Sequence, residues 1–197
     1  MIIMISMNNK KEAIVFIDAG YLSLISKSLG KGMHLRFDIG KFSEHIANRE
    51  NMRLSKTFYY TAPPYQSSNP GKDETKRKAN YDKFVNKLRK ISNFIVREGR
   101  CQKIDNIFMQ KGVDTLLTMD LFEVVHKKEV ETVILLACDT DFVPILNRIR
   151  EEGIKVILYY FSDFNRKSKF FMSNHILTAC DKKILLRKED FDRFPVD

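Results

Sequence analysis

Thr132-Val133-Ile134-Leu135-Leu136-Ala137-Cys138-Asp139-Thr140-Asp141-Phe142-Val143-Pro144 is the stretch on which the reading of the fold turns. Seven uncharged residues end abruptly in two carboxylates, which predicts a buried strand from Thr132 to Cys138. A helix is expected next, from Phe142 to Glu152, with Gly153 placed where a C-terminal glycine cap belongs. The alternation continues outward in both directions. Further strands are expected at Ala13 to Asp18, Leu54 to Ala62, Cys101 to Met109, Lys155 to Phe161 and Lys183 to Leu186. Helices are expected at Phe42 to Arg49, Lys78 to Val96, Val113 to His126 and Ser168 to Ala179. In the second of these, Phe84, Leu88, Ile91 and Ile95 recur at i, i+4, i+7 and i+11. Ala62 to Lys76, with Pro63, Pro64, Pro70 and Gly71, reads as a long loop. Hydrophobic runs alternating with amphipathic stretches describe an α/β fold built of βαβ units around a mostly parallel sheet.

At 197 residues the chain is expected to form a single domain, 1–197, with its core at about 13–187. It is 44% hydrophobic and 30% charged, which excludes a disordered polyelectrolyte, a collagen-like repeat and a coiled coil. The longest apolar runs are far shorter than the roughly 20 residues a membrane span needs. Met1 to Ile5 is apolar but has neither a basic lead nor a small-residue cleavage pattern, so no signal peptide is expected. Cys101, Cys138 and Cys180 are odd in number and widely spaced, which suits a reduced cytoplasm rather than a disulfide or zinc framework. The net charge of +9 points to a polyanionic partner. Gly71 to Arg100 alone carries ten basic residues against four acids.

In an open parallel sheet ligands bind outside the carboxyl ends of the strands, so acids closing buried strands draw attention. Asp18 closes Ile14-Val15-Phe16-Ile17, and Asp139 and Asp141 follow Cys138. If the two strands are neighbours, about 4.8 Å apart, Asp18 and Asp139 come within reach of a shared cation. Lys111-Gly112-Val113-Asp114 puts a further acid in a helical first turn. Asp120, six residues on, is turned 120° away from Asp114 and is the weaker candidate. Carboxylates gathered this closely repel unless protonated or neutralised by a hard cation such as Mg²⁺ or Mn²⁺. Each acid also has a structural role open to it. Asp114 can satisfy its helix end, and Asp141 can cap or open the helix that follows.

In order and spacing, these residues resemble the NYN family, the LabA-like branch of the PIN-like nucleases. The resemblance lies in Val15-Phe16-Ile17-Asp18, in Lys111-Gly112-Val113-Asp114 with Leu117 and Asp120, in Leu135 to Pro144, and in Gly153-Ile154-Lys155-Val156. It covers Ala13 to Phe161 and extends toward Leu186. It implies a three-layer α/β/α sandwich that binds Mg²⁺ or Mn²⁺ and cleaves RNA. Asp18, Asp114 and Asp139 would be the catalytic, metal-coordinating acids, with Asp141 a fourth member and Asp120 in support. Two positions depart from the pattern. Tyr21 stands where the family commonly has Asn, and Ala137-Cys138 where it commonly has Ser-Gly.

Lys72, Lys76, Arg77 and Lys78, with Tyr65 and Tyr81, would track the phosphates and bases of single-stranded RNA, or mark only the solvated face of a helix. A homodimer would present two such basic surfaces. Two other functions compete. One is an RNA-binding or regulatory module of the same fold with catalysis lost, for which Tyr21 is the main support. The other is a haloacid-dehalogenase-like phosphatase, because Asp139-Thr140-Asp141-Phe142-Val143 fits D-x-D-x-[TV], with Asp139 as nucleophile and Asp141 as acid/base. The phosphatase reading leaves Asp18 and Asp114 without a role, and only 56 residues follow Asp141. His34, His45, His126 and His175 show no metal-ligand spacing, and no glycine-rich nucleotide loop is present.

Overall fold

Residues 11–105, 107–163, 168, 170 and 172–195 are described in a computed structural model. Six strands form one parallel sheet: β1 (Glu12–Asp18), β2 (Arg53–Thr61), β3 (Phe94–Glu98), β6 (Thr132–Leu136), β7 (Lys155–Tyr160) and β8 (Lys182–Leu185). Their order is β3-β2-β1-β6-β7-β8. Two more strands, β4 (Arg100–Ile104) and β5 (Ile107–Lys111), form a separate antiparallel hairpin. The helices are α1 (Ala19–Leu29), α2 (Ile39–Arg49), α3 (Lys72–Leu88), α4 (Val113–Lys127), α5 (Val143–Glu151), α6 (Asn174–Thr178) and α7 (Glu189–Asp192).

From β1 the chain winds outward through β2 to β3, then returns to β6 and winds the other way through β7 to β8. Right-handed crossovers therefore place α1, α2 and α3 on one face and α4, α5 and α6 on the other. The result is a three-layer α/β/α sandwich. With both faces covered, the inner strands carry apolar side chains without alternation: Ala13 to Ile17 and Val133 to Ala137 are all essentially inaccessible to solvent. Phe16, Phe58 and Tyr60 stack in a row across β1 and β2 beneath α4.

Most expected elements fall where the sequence placed them, within a few residues. The exceptions have physical causes. Helix Lys78 to Val96 is displaced: α3 begins at Lys72, inside the expected loop, and ends at Leu88. Asp73 and Glu74 in its first turn suit the positive end of a helix dipole. Asn93 adopts a positive φ of 57°, which breaks the chain after the helix and starts β3. Ile91 and Ile95 thus continued the helical spacing by coincidence, and Ile95 belongs to the sheet. The expected sheet strand Cys101 to Met109 is instead the β4–β5 hairpin, with its turn in the middle of that stretch. Helix α1 is not among the expected elements, because Leu24 on its exposed side and Ser26 on its buried side blur the helical period of Tyr21, Leu22 and Ile25. Of Ser168 to Ala179, α6 covers Asn174–Thr178, and Lys169 and Phe171 lie outside the described residues, as does Met1 to Ile5. No helix among the described residues is long and apolar enough to cross a membrane.

Candidate functional site

The direction of winding reverses between β1 and β6, so the crevice of an open α/β sheet opens at their carboxyl ends. The two strands pair in register up to Ile17 opposite Leu136, and the acids follow within three residues on each side. Asp18 is half-buried and serves as N-cap of α1, its Oδ1 accepting from the amides of Gly20 at 2.8 Å and Tyr21 at 3.3 Å. A Cβ on Gly20 would stand 3.1 Å from that oxygen, so the glycine lets the carboxylate settle onto the helix start. Asp139 caps the single 3₁₀ turn Thr140–Phe142, its Oδ1 accepting from the Asp141 amide at 2.9 Å. Asp114 and Asp141 lie in the first turns of their helical segments and are exposed. Each acid therefore fills the structural role open to it. The caps use only Oδ1 of Asp18 and Asp139, and no donor among the described residues reaches their second oxygens.

These acids act on one another. Burial is the largest influence on Asp18 and raises its pKa, two backbone amides work against it, and the charges of Asp114 and Asp139 add to the rise. Asp114 is raised by desolvation and then by Asp139 and Asp141. The thiol of Cys138 is pushed up to about 12, first by burial and then by Asp18, Asp139 and Asp114, which leaves it protonated and inert at neutral pH. The donors are all hard oxygens carrying negative charge, the set that suits Mg²⁺ or Mn²⁺. Among the described residues, however, no three acids converge as placed to hold a cation.

Asp120 is not part of this group. It is buried, accepts from Arg97 through Nε at 2.9 Å and Nη2 at 2.8 Å, and accepts from the Tyr60 hydroxyl at 2.9 Å. Arg97 and Tyr60 carried no signal in the sequence, since nothing links their positions to Asp120 until β2, β3 and α4 pack together. Tyr21 has a role of its own. Its ring is 3% exposed, and its hydroxyl accepts from the Phe161 amide at 2.9 Å and donates to the Phe161 carbonyl at 3.3 Å. The side chain thus spans from the start of α1 to the end of β7, with Cys138 beside it. On α3, Lys72, Lys76 and Arg77 stand exposed, Lys78 pairs with Asp82, and the Tyr81 hydroxyl donates to Glu98 at 2.8 Å.

Residues 12–186 match the family model of the NYN domain. The chain belongs to the NYN family. The NYN family is PIN-like. A solved protein of unknown function from Vibrio parahaemolyticus is similar in structure, with a TM-score of 0.62 at 19% identity, over 92% of this chain and 96% of that one. That likeness concerns the fold. A candidate oxidoreductase from Parabacteroides merdae aligns with a TM-score of only 0.30 at 10% identity, over 86% of this chain and 28% of that one. No curated protein matches the NYN chain.

Proposed function

We propose that this NYN chain is a ribonuclease that hydrolyses RNA phosphodiesters with Mg²⁺ or Mn²⁺ held by Asp18, Asp139, Asp114 and Asp141. The observation that carries the reading is the unneutralised group of carboxylates at the switch point, in which Asp18 and Asp114 are raised in part by their acidic neighbours. Such an arrangement costs folding free energy and is relieved by a divalent cation. Asp18 and Asp139, fixed by their caps, would hold the ion through their second oxygens. Asp114 and Asp141 lie at the surface, where side chains reorient in picoseconds to nanoseconds, and would turn onto it. A bound divalent cation supplies polarisation of a phosphoryl oxygen and a lowered pKa for the attacking water. The chain's own part is to orient the scissile phosphate at the start of α4, whose amides no side chain caps, and, through the acids, to set where charge develops.

The test is cleavage of end-labelled single-stranded RNA with Mn²⁺, Mg²⁺ or EDTA, run beside folded Asp18→Asn and Asp139→Asn variants. Cation-dependent cleavage lost in both variants is the expected result. RNA binding without cleavage by the unaltered chain would favour the non-catalytic module instead.

A further inference from the structure

The hairpin β4–β5 leaves the sheet after β3 at Gly99 and passes at Gly112 into α4, two residues before Asp114. Its root is tightly drawn. The Gly99 amide donates to the Thr61 carbonyl at the carboxyl end of β2, and a Cβ on Gly99 would lie 2.5 Å from the Lys111 carbonyl oxygen. Gly112 has φ +81°, a conformation that favours glycine. The arm is therefore fixed at the same edge as the acids. Beyond its root it is open: all five residues of β5 are exposed, and Phe108 is 56% accessible. Ile104, Ile107 and Met109 of the same hairpin are exposed as well, and apolar surface gathered in this way marks an interaction site.

Phe108 is flanked by a second aromatic ring and a cation. Tyr65, from the loop after β2, lies against it at 5.6 Å between centroids, and Lys103, its register partner on β4, holds its ammonium 5.9 Å from the ring centre. Behind them, Ser67 binds Glu74 of α3 through its amide and hydroxyl, and the charges of Arg77 and Lys103 both reach that carboxylate. Arg100 and Lys111 face each other at the root. An aromatic platform edged by cations matches a chain of phosphates bearing unpaired bases, since bases stack on the ring while cations meet the backbone. A second copy of a chain with net charge +9 would bring like charges together across the same surface.

We propose that the β4–β5 hairpin is a stacking arm for single-stranded RNA, seating a base on Phe108 between Tyr65 and Lys103 and leading the strand toward Asp114. The assignment rests on the ribonuclease reading and adds to it the substrate class and the surface that selects it. Duplex RNA, with its bases already stacked, has nothing to offer Phe108.

The experiment uses the full chain carrying Asp139→Asn, in EDTA, with a labelled oligouridine of about 15 nucleotides and a duplex RNA of equal length. Phe108→Ala, which removes a largely exposed ring outside the core, should weaken oligouridine binding about tenfold and leave duplex binding within about twofold. Phe108→Tyr should restore it. Lys103→Ala with Lys111→Ala should flatten the salt dependence by about 0.7 logarithmic units per lost phosphate contact. Unchanged oligouridine affinity in Phe108→Ala would overturn the arm, as would an equal loss for duplex. So would a dimer in sedimentation that Phe108→Ala dissolves while RNA affinity stays constant, for this would assign the arm to a second copy. The two proposals fail separately. Phe108-dependent binding by an unaltered chain that never cleaves RNA sinks the ribonuclease and keeps the arm, whereas cleavage indifferent to Phe108→Ala does the reverse.

Discussion

Helix α4 carries two acids in opposite circumstances. Asp120, the more deeply buried, has every need met: a bidentate guanidinium and a phenol donate to its two oxygens. Asp114, nearer the solvent, has no donor among the described residues and faces the charges of Asp139 and Asp141. Burial alone therefore does not mark which carboxylate the fold leaves unpaired. A charge that the fold neutralises contributes to the fold, and a charge that the fold leaves facing its own kind is available to something from outside.

The contrast is broken most directly by changing one acid of each kind. Asp114→Asn should lower metal-dependent RNA cleavage by about 100-fold or more while the unfolding midpoint stays within a few degrees, measured by single-turnover cleavage and thermal denaturation. Asp120→Ala should do the opposite. It strands the Tyr60 hydroxyl and removes the partner of Arg97, costing about 2 kcal/mol in urea denaturation. Arg97 is partly exposed and recovers water when its partner goes, which keeps the figure below that of a fully buried pair. A stable Asp120→Ala protein without activity would put Asp120 among the functional acids and dissolve the contrast.

How legible each region was in the sequence follows the same division. Asp18 and Asp139 could be singled out because they end uncharged strands, and that pattern is written in consecutive residues. The adjacency of β1 and β6, on which the crevice depends, was conditional at that level and is now a ladder with Ile17 opposite Leu136. The Arg97–Asp120–Tyr60 cluster was invisible, since its members come from three elements with no shared local pattern. The hairpin was misread as a sheet strand because β-propensity does not say which sheet a strand joins. Gly99 and Gly112 bracketing a dozen residues were the available signal for an excursion from the sheet. Helical spacing misled at Ile91 and Ile95 for a related reason, since Asn93 could break the period without disturbing the count.

Tyr21 sharpens the comparison on a smaller scale. It occupies the position where the family commonly has Asn, yet its hydroxyl is spent on the Phe161 backbone at the end of β7 rather than on the acids. Tyr21→Phe leaves the partly buried Phe161 amide without its acceptor and should cost about 1 kcal/mol in urea denaturation. Cleavage should stay within about threefold, because the amide that contacts Asp18 belongs to the backbone and survives the change. A large loss of activity at unchanged stability would show that the hydroxyl acts on the site.

The smallest effect is the most diagnostic of the unneutralised acids. Burial first, and Asp114 and Asp139 after it, raise the pKa of Asp18 above its ordinary value of 3.8. Between that value and the raised one the folded chain binds more protons than the unfolded chain, so stability falls as pH rises through this window and the cost is complete at neutral pH. In EDTA the unaltered chain should therefore gain stability on acidification from pH 7 toward about 4, before its paired carboxylates protonate. Asp18→Asn keeps an oxygen for the Gly20 and Tyr21 amides, and Asn caps as well as Asp, so only the charge is lost. The variant should melt higher at pH 7, by about 2–4 °C for each kcal/mol of repulsion relieved, and the advantage should shrink to nothing near pH 4. Mn²⁺ should reverse the order at neutral pH, since it stabilises only the chain that binds it. Identical pH profiles for the two proteins in EDTA would mean that Asp18 is already neutralised within the fold, and the distinction between it and Asp120 would fail.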